Sequence, residues 1–107
     1  MSWFDILKVD VRRKWRKNQL HPLVIEALEA NLKARGKIAT RTLMDIGVYA
    51  IQDHNDSIRG VEGTKGQRVN TDKYPSHTAV SVWANNHPKL RKDKLGQNVA
   101  WVWTGAI

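Results

Sequence analysis

Residues 76–105 read SHTAVSVWANNHPKLRKDKLGQNVAWVWTG and hold three of the chain's five tryptophans, Trp83, Trp101 and Trp103. The same stretch carries four basic side chains close together, Lys89, Arg91, Lys92 and Lys94. Ser76 is an N-cap residue type, and after it Ala79, Val80 and Trp83 share one helical face with Val82 beside them. The opposite side presents His77, Ser81 and Asn85 at i, i+4 and i+8, with Thr78 alongside, and is small, polar and uncharged. Pro88 disfavours helix for the residue before it, which puts Asn86 and His87 outside the helix. Beyond it the residues alternate, with Val99, Trp101 and Trp103 on one side of a strand and Ala100 and Val102 on the other. Leu90 opens a partner strand whose other side chains are mostly Arg or Lys, and Leu95-Gly96-Gln97 is the turn between the two. The stretch predicts a helix followed by a basic β-hairpin.

Working outward toward the N-terminus, Pro22 suits a first helical position, and Ile25, Leu28 and Leu32 recur at i, i+3 and i+7. Gly36 supplies a stop, so a helix is predicted over 22–35. Lys37-Ile38-Ala39 is too short for an ordinary strand and leads directly into a second helix. Thr42 with Asp45 forms a capping box there, with Thr40 as the alternative cap, and Leu43, Ile46 and Ala50 follow at helical spacing with Met44 and Ile51. This second helix is expected over about 41–53. Gly47 inside it costs about 1 kcal/mol of helix relative to alanine, which suggests that something packs closely against it. From His54 to Pro75 the pattern fails, and only Ile58, Val61, Val69 and Tyr74 are available to bury. A long mobile loop is expected over 54–75, with a helical turn near 57–61. At the start of the chain, Ser2 and Asp5 read as a capping box for a short amphipathic turn through Trp3, Phe4, Ile6 and Leu7.

With 107 residues the chain has room for one modest core. Its 18 Lys+Arg against 10 Asp+Glu leave +8, a charge that speaks to partners such as nucleic acid or an anionic surface. That charge is uneven: +4 over residues 1–20, zero over 21–60 and +4 over 61–107. The densest run is RRKWRK, Arg12 to Lys17, with five charges in six residues, which favours an extended segment outside the core. The absence of cysteine removes disulfides, thiolate zinc sites and cysteine nucleophiles, and fits a reducing cytosol. No apolar run approaches the roughly 18–20 residues of a membrane span, and the opening residues lack the charge order of a signal peptide. The expectation is a cytoplasmic protein with no membrane partner.

Helix, short extended piece, helix, helix and hairpin is the order of a winged helix-turn-helix domain. The ending NNHPKLRKDKLGQNVAWVWTG resembles that family's end, in which a recognition helix finishes near a proline and a basic wing returns through a strand of alternating aromatics. The likeness covers roughly residues 22–104 and implies an α+β fold, a three-helix winged helix-turn-helix with a C-terminal β-hairpin wing. On this reading 1–20 form a basic N-terminal arm and 21–107 the winged-helix domain. Two departures stand out: more than twenty residues separate the second and third helices, where the family has a tight turn, and the first strand is vestigial. The opening WFDILK resembles small uncharacterised proteins of marine microbes and their viruses, a likeness that carries no activity with it.

The implied function is binding of double-stranded DNA, as a small transcriptional regulator or architectural factor. Helix 76–86 would enter the major groove with His77, Thr78, Ser81 and Asn85 near base edges, Asn85 being suited to a bidentate contact with adenine. Lys89, Arg91, Lys92 and Lys94 would hold phosphates, and Arg12, Arg13, Lys14, Arg16 and Lys17 would follow the backbone or enter the minor groove as an arm. Two alternatives belong to other classes. One is a protein-interaction module or self-association through Trp3, Phe4 and Leu7, and the other is RNA binding through the interleaved RRKWRK run.

Enzymatic readings find no support. His21, His54, His77 and His87 lie far apart with no metal-ligand spacing, and read as caps, surface residues or phosphate donors. No P-loop, dinucleotide fingerprint or G-x-S-x-G is present. Asp45 and Asp53 read as a solvated face, and Gly60, Gly63 and Gly66 lack the strand and helix that would anchor a phosphate loop. Neither a metal nor a cofactor is expected.

Overall fold

Pro22 presets a helical φ at a position whose N–H would have no intrahelical partner, and α1 (Pro22–Arg35) begins on it. The computed structural model of the protein describes residues 19–63 and 65–105. His21 caps α1, its Nδ1 accepting the Leu23 N–H at 3.1 Å. Gly36 ends the helix at φ 82°, a left-handed value that glycine adopts without strain, and its N–H reaches the Leu32 carbonyl at 2.7 Å. There follow β1 (Lys37–Ala39), α2 (Thr40–Ser57), single 3-10 turns at Lys65–Gln67 and Thr71–Lys73, α3 (His77–Asn85), β2 (Leu90–Leu95) and β3 (Asn98–Trp103). The result is a small α+β domain with, among the described residues, three helices and one antiparallel sheet in the order β1-β3-β2.

The three helices pack on one side of that sheet. Val24, Leu28 and Leu32 of α1 and Leu43, Gly47 and Ile51 of α2 recur at i, i+4 and i+8 and are buried, as are Ala79, Val80 and Ala84 of α3. The sheet contributes Ile38 and Trp101, which sit opposite each other in the β1–β3 register. Gly47 is the point of closest approach: a Cβ there would lie 2.6 Å from Pro75 Cγ and 2.8 Å from Val24 Cγ1. The packing expected at that position is therefore present, and it joins α1, α2 and the residue just ahead of α3.

Several expectations are corrected. The second helix does not stop near 53 but runs to Ser57, so the long connection begins four residues later than expected. Two of those four polar residues, His54 and Asn55, hold the returning chain, while the Ser57 hydroxyl donates to the His54 carbonyl at 2.7 Å. His54 Nε2 lies 2.8 Å from the Gln67 carbonyl, and the Asn55 amide makes paired bonds with Val69, Nδ2 to the carbonyl at 2.8 Å and Oδ1 from the N–H at 2.9 Å. Val69 is buried by this clamp, Ile58 and Tyr74 are half-buried, and Val61 is exposed. A turn at 58–60 stands where one was expected near 57–61.

Neither Thr42 nor Thr40 caps α2. The N-cap is Ala39, without a side-chain bond, and the Thr40 hydroxyl accepts the Trp101 indole N–H at 2.9 Å while donating to the Val99 carbonyl at 3.2 Å. It thus pins the start of α2 to the central strand. Lys37–Ala39, too short for an ordinary strand by its length, is one nonetheless, because β3 supplies its partner. Of the three tryptophans in residues 76–105 only Trp101 is buried. Trp83 and Trp103 lie half-buried at its margin, where His87 packs edge-on against Trp83 (ring centroids 5.1 Å apart) and the Lys33 and Lys89 ammonium groups sit 5.3 and 5.8 Å from the Trp103 ring centroid. Cations cover that aromatic edge in place of apolar side chains.

Candidate nucleic-acid interface

Ser76 accepts the Ala79 N–H at 3.1 Å and starts α3, which ends at Asn85 with Asn86 as its C-cap, just ahead of Pro88. Nine residues make two and a half turns, enough to put His77, Ser81 and Asn85 in one row. Beside that row the hairpin turns at Gly96, whose φ of 66° suits the primed two-residue turns that match strand twist. Its register pairs Lys92 with Trp101 and Lys94 with Val99, so both lysines stand on the sheet face that carries the helices. His77, Ser81, Val82 and Asn85 from α3 and Lys92, Val99 and Trp101 from the hairpin together line a groove of about 370 Å³.

Side-chain alternation divides the wing. Arg91 and Asp93 stand on the opposite face from Lys92 and Lys94, opposite Val102 and Ala100 in the register. Asp93 lies 3.5 Å from Lys37 on that face, and its carboxyl is held below the usual range first by the Lys94 N–H at 2.8 Å and then by the Lys37 charge. The outer face therefore carries mixed charge. The face toward α3 presents Lys92 and Lys94, and no ion pair engages either among the described residues. Lys89, at the base of the hairpin, is engaged with Trp103.

The structure brings His77, Ser81, Asn85 and Lys92 to one groove, with Lys94 on the same sheet face. Thr78 is exposed on α3 but does not line the groove. Arg91 is exposed on the far side of the hairpin. Arg12, Arg13, Lys14, Arg16 and Lys17, and likewise Trp3, Phe4 and Leu7, lie outside the described residues. Three groove residues were missed by sequence reading. Spacing placed Val82 beside the Trp83 face and Val99 on the side of Trp101 and Trp103, yet they are 41% and 37% exposed, and Trp101 serves as both core residue and groove floor.

The polar side chains of this face are available to a ligand. Among the described residues, none of His77, Thr78, Ser81, Asn85 and Lys92 spends its side chain on an internal hydrogen bond or ion pair. Some polar side chains elsewhere are occupied: Asn86 donates to the Val82 carbonyl at 2.9 Å, Asn31 to Ala27 at 2.8 Å, and Asn55 clamps Val69, whereas Gln52, Asn70 and Asn98 make no such bond among the described residues. His87 is occupied as well. Its Nδ1 accepts the Lys89 N–H at 3.0 Å, so a neutral ring carries its proton on Nε2, 3.5 Å from Glu29 Oε2. Among the described residues no group of three or more His, Asp or Glu side chains could hold a metal ion, and no helix is long and apolar enough to cross a membrane. No protein-family model matches the chain, and no curated protein or solved structure shows significant similarity to it.

Proposed function

We propose that this α+β domain is a winged helix-turn-helix and that it binds duplex DNA, α3 lying in the major groove and the hairpin along the backbone. One observation carries the reading: a row of unspent polar side chains on α3 faces the unpaired Lys92 across a single groove. Polar groups with no internal partner, beside fixed cations, suit a ligand that offers hydrogen-bonding edges flanked by phosphates. The element order and the β1-β3-β2 sheet support it too, as they set the wing next to the third helix. So does the net charge of +8, which favours a polyanion.

In this reading Asn85 pairs its amide with adenine, His77, Thr78 and Ser81 make further base or sugar contacts, and Lys92 and Lys94 neutralise phosphates. Lys89 and Arg91 border the duplex, and the Arg12–Lys17 run follows the backbone. The protein then works where DNA is, in the cytoplasm of a cell or of an infected host, as a regulator or an architectural factor.

Titration of the full chain against duplex DNA, single-stranded DNA and RNA of equal length at two salt concentrations tests the proposal. Tightest binding to duplex, weakening steeply with salt, is expected. Tighter binding to either single strand would give the surface to a different nucleic acid, and no binding to any of the three would return the chain to the protein-interaction class.

A further inference from the structure

Val82 and Val99 come from different elements, α3 and β3, yet both expose their side chains into the same groove and flank its indole floor. Single exposed valines need no explanation. Two that converge among polar groups otherwise free of internal partners call for a ligand that offers apolar surface beside hydrogen-bonding atoms. On the major-groove edge of DNA the A·T pair is the one with both, an adenine N6/N7 edge suited to an amide and a thymine 5-methyl next to it, whereas a G·C pair has no methyl. Asn85 and Val82 stand three residues apart on α3, neighbours about 5–6 Å apart on one helix surface. Their separation suits the adenine and the thymine methyl of one pair or of adjacent pairs. The helix presents no arginine, the side chain that pairs most often with guanine.

We propose that the groove selects A·T pairs by contact of Val82 and Val99 with the thymine 5-methyl group. The inference rests on the duplex-DNA reading and adds its base preference and the two residues that set it.

Alternating dA-dT and dA-dU duplexes differ only in that methyl. The full chain should bind the dA-dT duplex about three- to tenfold more tightly, the range expected for burying one methyl-sized group against apolar side chains. The Val82→Ala, Val99→Ala double variant should bind both duplexes equally. Because both valines are substantially exposed, that variant should melt with the wild type, and a thermal melt checks this. Equal binding of the wild type to the two duplexes overturns the inference while leaving duplex binding intact. Discrimination that survives in the double variant also overturns it, since the methyl is then read elsewhere. Failure to bind either duplex refutes the underlying function instead.

Discussion

The indole of Trp101 is 3% exposed, donates to Thr40 and also floors the groove between α3 and the hairpin, with Lys92 opposite it in the strand register. Stability and the proposed binding surface therefore meet in one side chain. Trp101→Ala removes a large buried ring and leaves the Thr40 hydroxyl without its donor, so a loss of about 3–5 kcal/mol is expected, a large share of what a domain of this size has. Chemical denaturation measures it, and a midpoint within error of wild type would contradict the buried position. His21 makes a second residue-scale prediction. Its ring is buried as the cap of α1, and its pKa falls from an ordinary 6.5 to about 4, first through desolvation and then through the charges of His54 and Lys73. Above pH 6.5 the ring is neutral in both folded and unfolded chains, so it adds no pH dependence there. As pH falls from 6.5 toward 4, only the unfolded chain takes up the proton, and stability drops by up to roughly 3 kcal/mol before levelling off. His21→Asn keeps an acceptor for the Leu23 N–H and should flatten that part of the stability curve; an unchanged slope between pH 6.5 and 4 would contradict the assignment.

At the scale of elements, the paired bonds between Asn55 and Val69 tie the segment following α2 back onto its last turn. Asn55→Ala leaves a buried N–H and C=O without partners and should cost about 1–3 kcal/mol. In hydrogen exchange the Val69 amide should be slow in the wild type and fast in the variant, while amides from Gly60 to Gly63, in an exposed turn, exchange fast in both. A Val69 amide that exchanges as fast as Gly60 in the wild type would contradict the clamp. This element also marks the limit of what the chain discloses on its own. α1 and α3 were legible because their signals are local: Pro22 and Gly36 bracket one, Ser76 and Pro88 the other, and apolar residues recur between them. The last turn of α2 was not legible, because His54 and Asn55 are held by partners 13 and 14 residues away, and a polar run without periodicity reads as loop. Thr40 misled for the same reason: its hydroxyl serves Trp101 and Val99, 61 and 59 residues on, and not its own helix.

Across the whole molecule, the row His77, Ser81 and Asn85 followed from helical spacing alone, but its meaning depends on which side chains the hairpin brings to it. Alternation gives the side of a strand and not its depth: Val99 shares a side with Trp101 and Trp103, yet near the hairpin turn it is exposed. Similarly, Lys89, Arg91, Lys92 and Lys94 read as one cationic run, and only the β2–β3 register divides Lys92 and Lys94, facing α3, from Arg91, which shares the outer face with Asp93. That division yields the most direct test of duplex binding at the groove. Affinity for duplex DNA is measured across a salt series for the wild type, for Lys92→Gln, Lys94→Gln together, and for Arg91→Gln. All three changed side chains are exposed, so the variants should keep the wild-type fold. The double variant should bind more weakly at low salt and lose about 0.9 per lysine from the slope of log affinity against log salt, while Arg91→Gln changes it by less than one contact's worth. A double variant that binds duplex DNA with wild-type affinity and slope at every salt concentration would contradict the account.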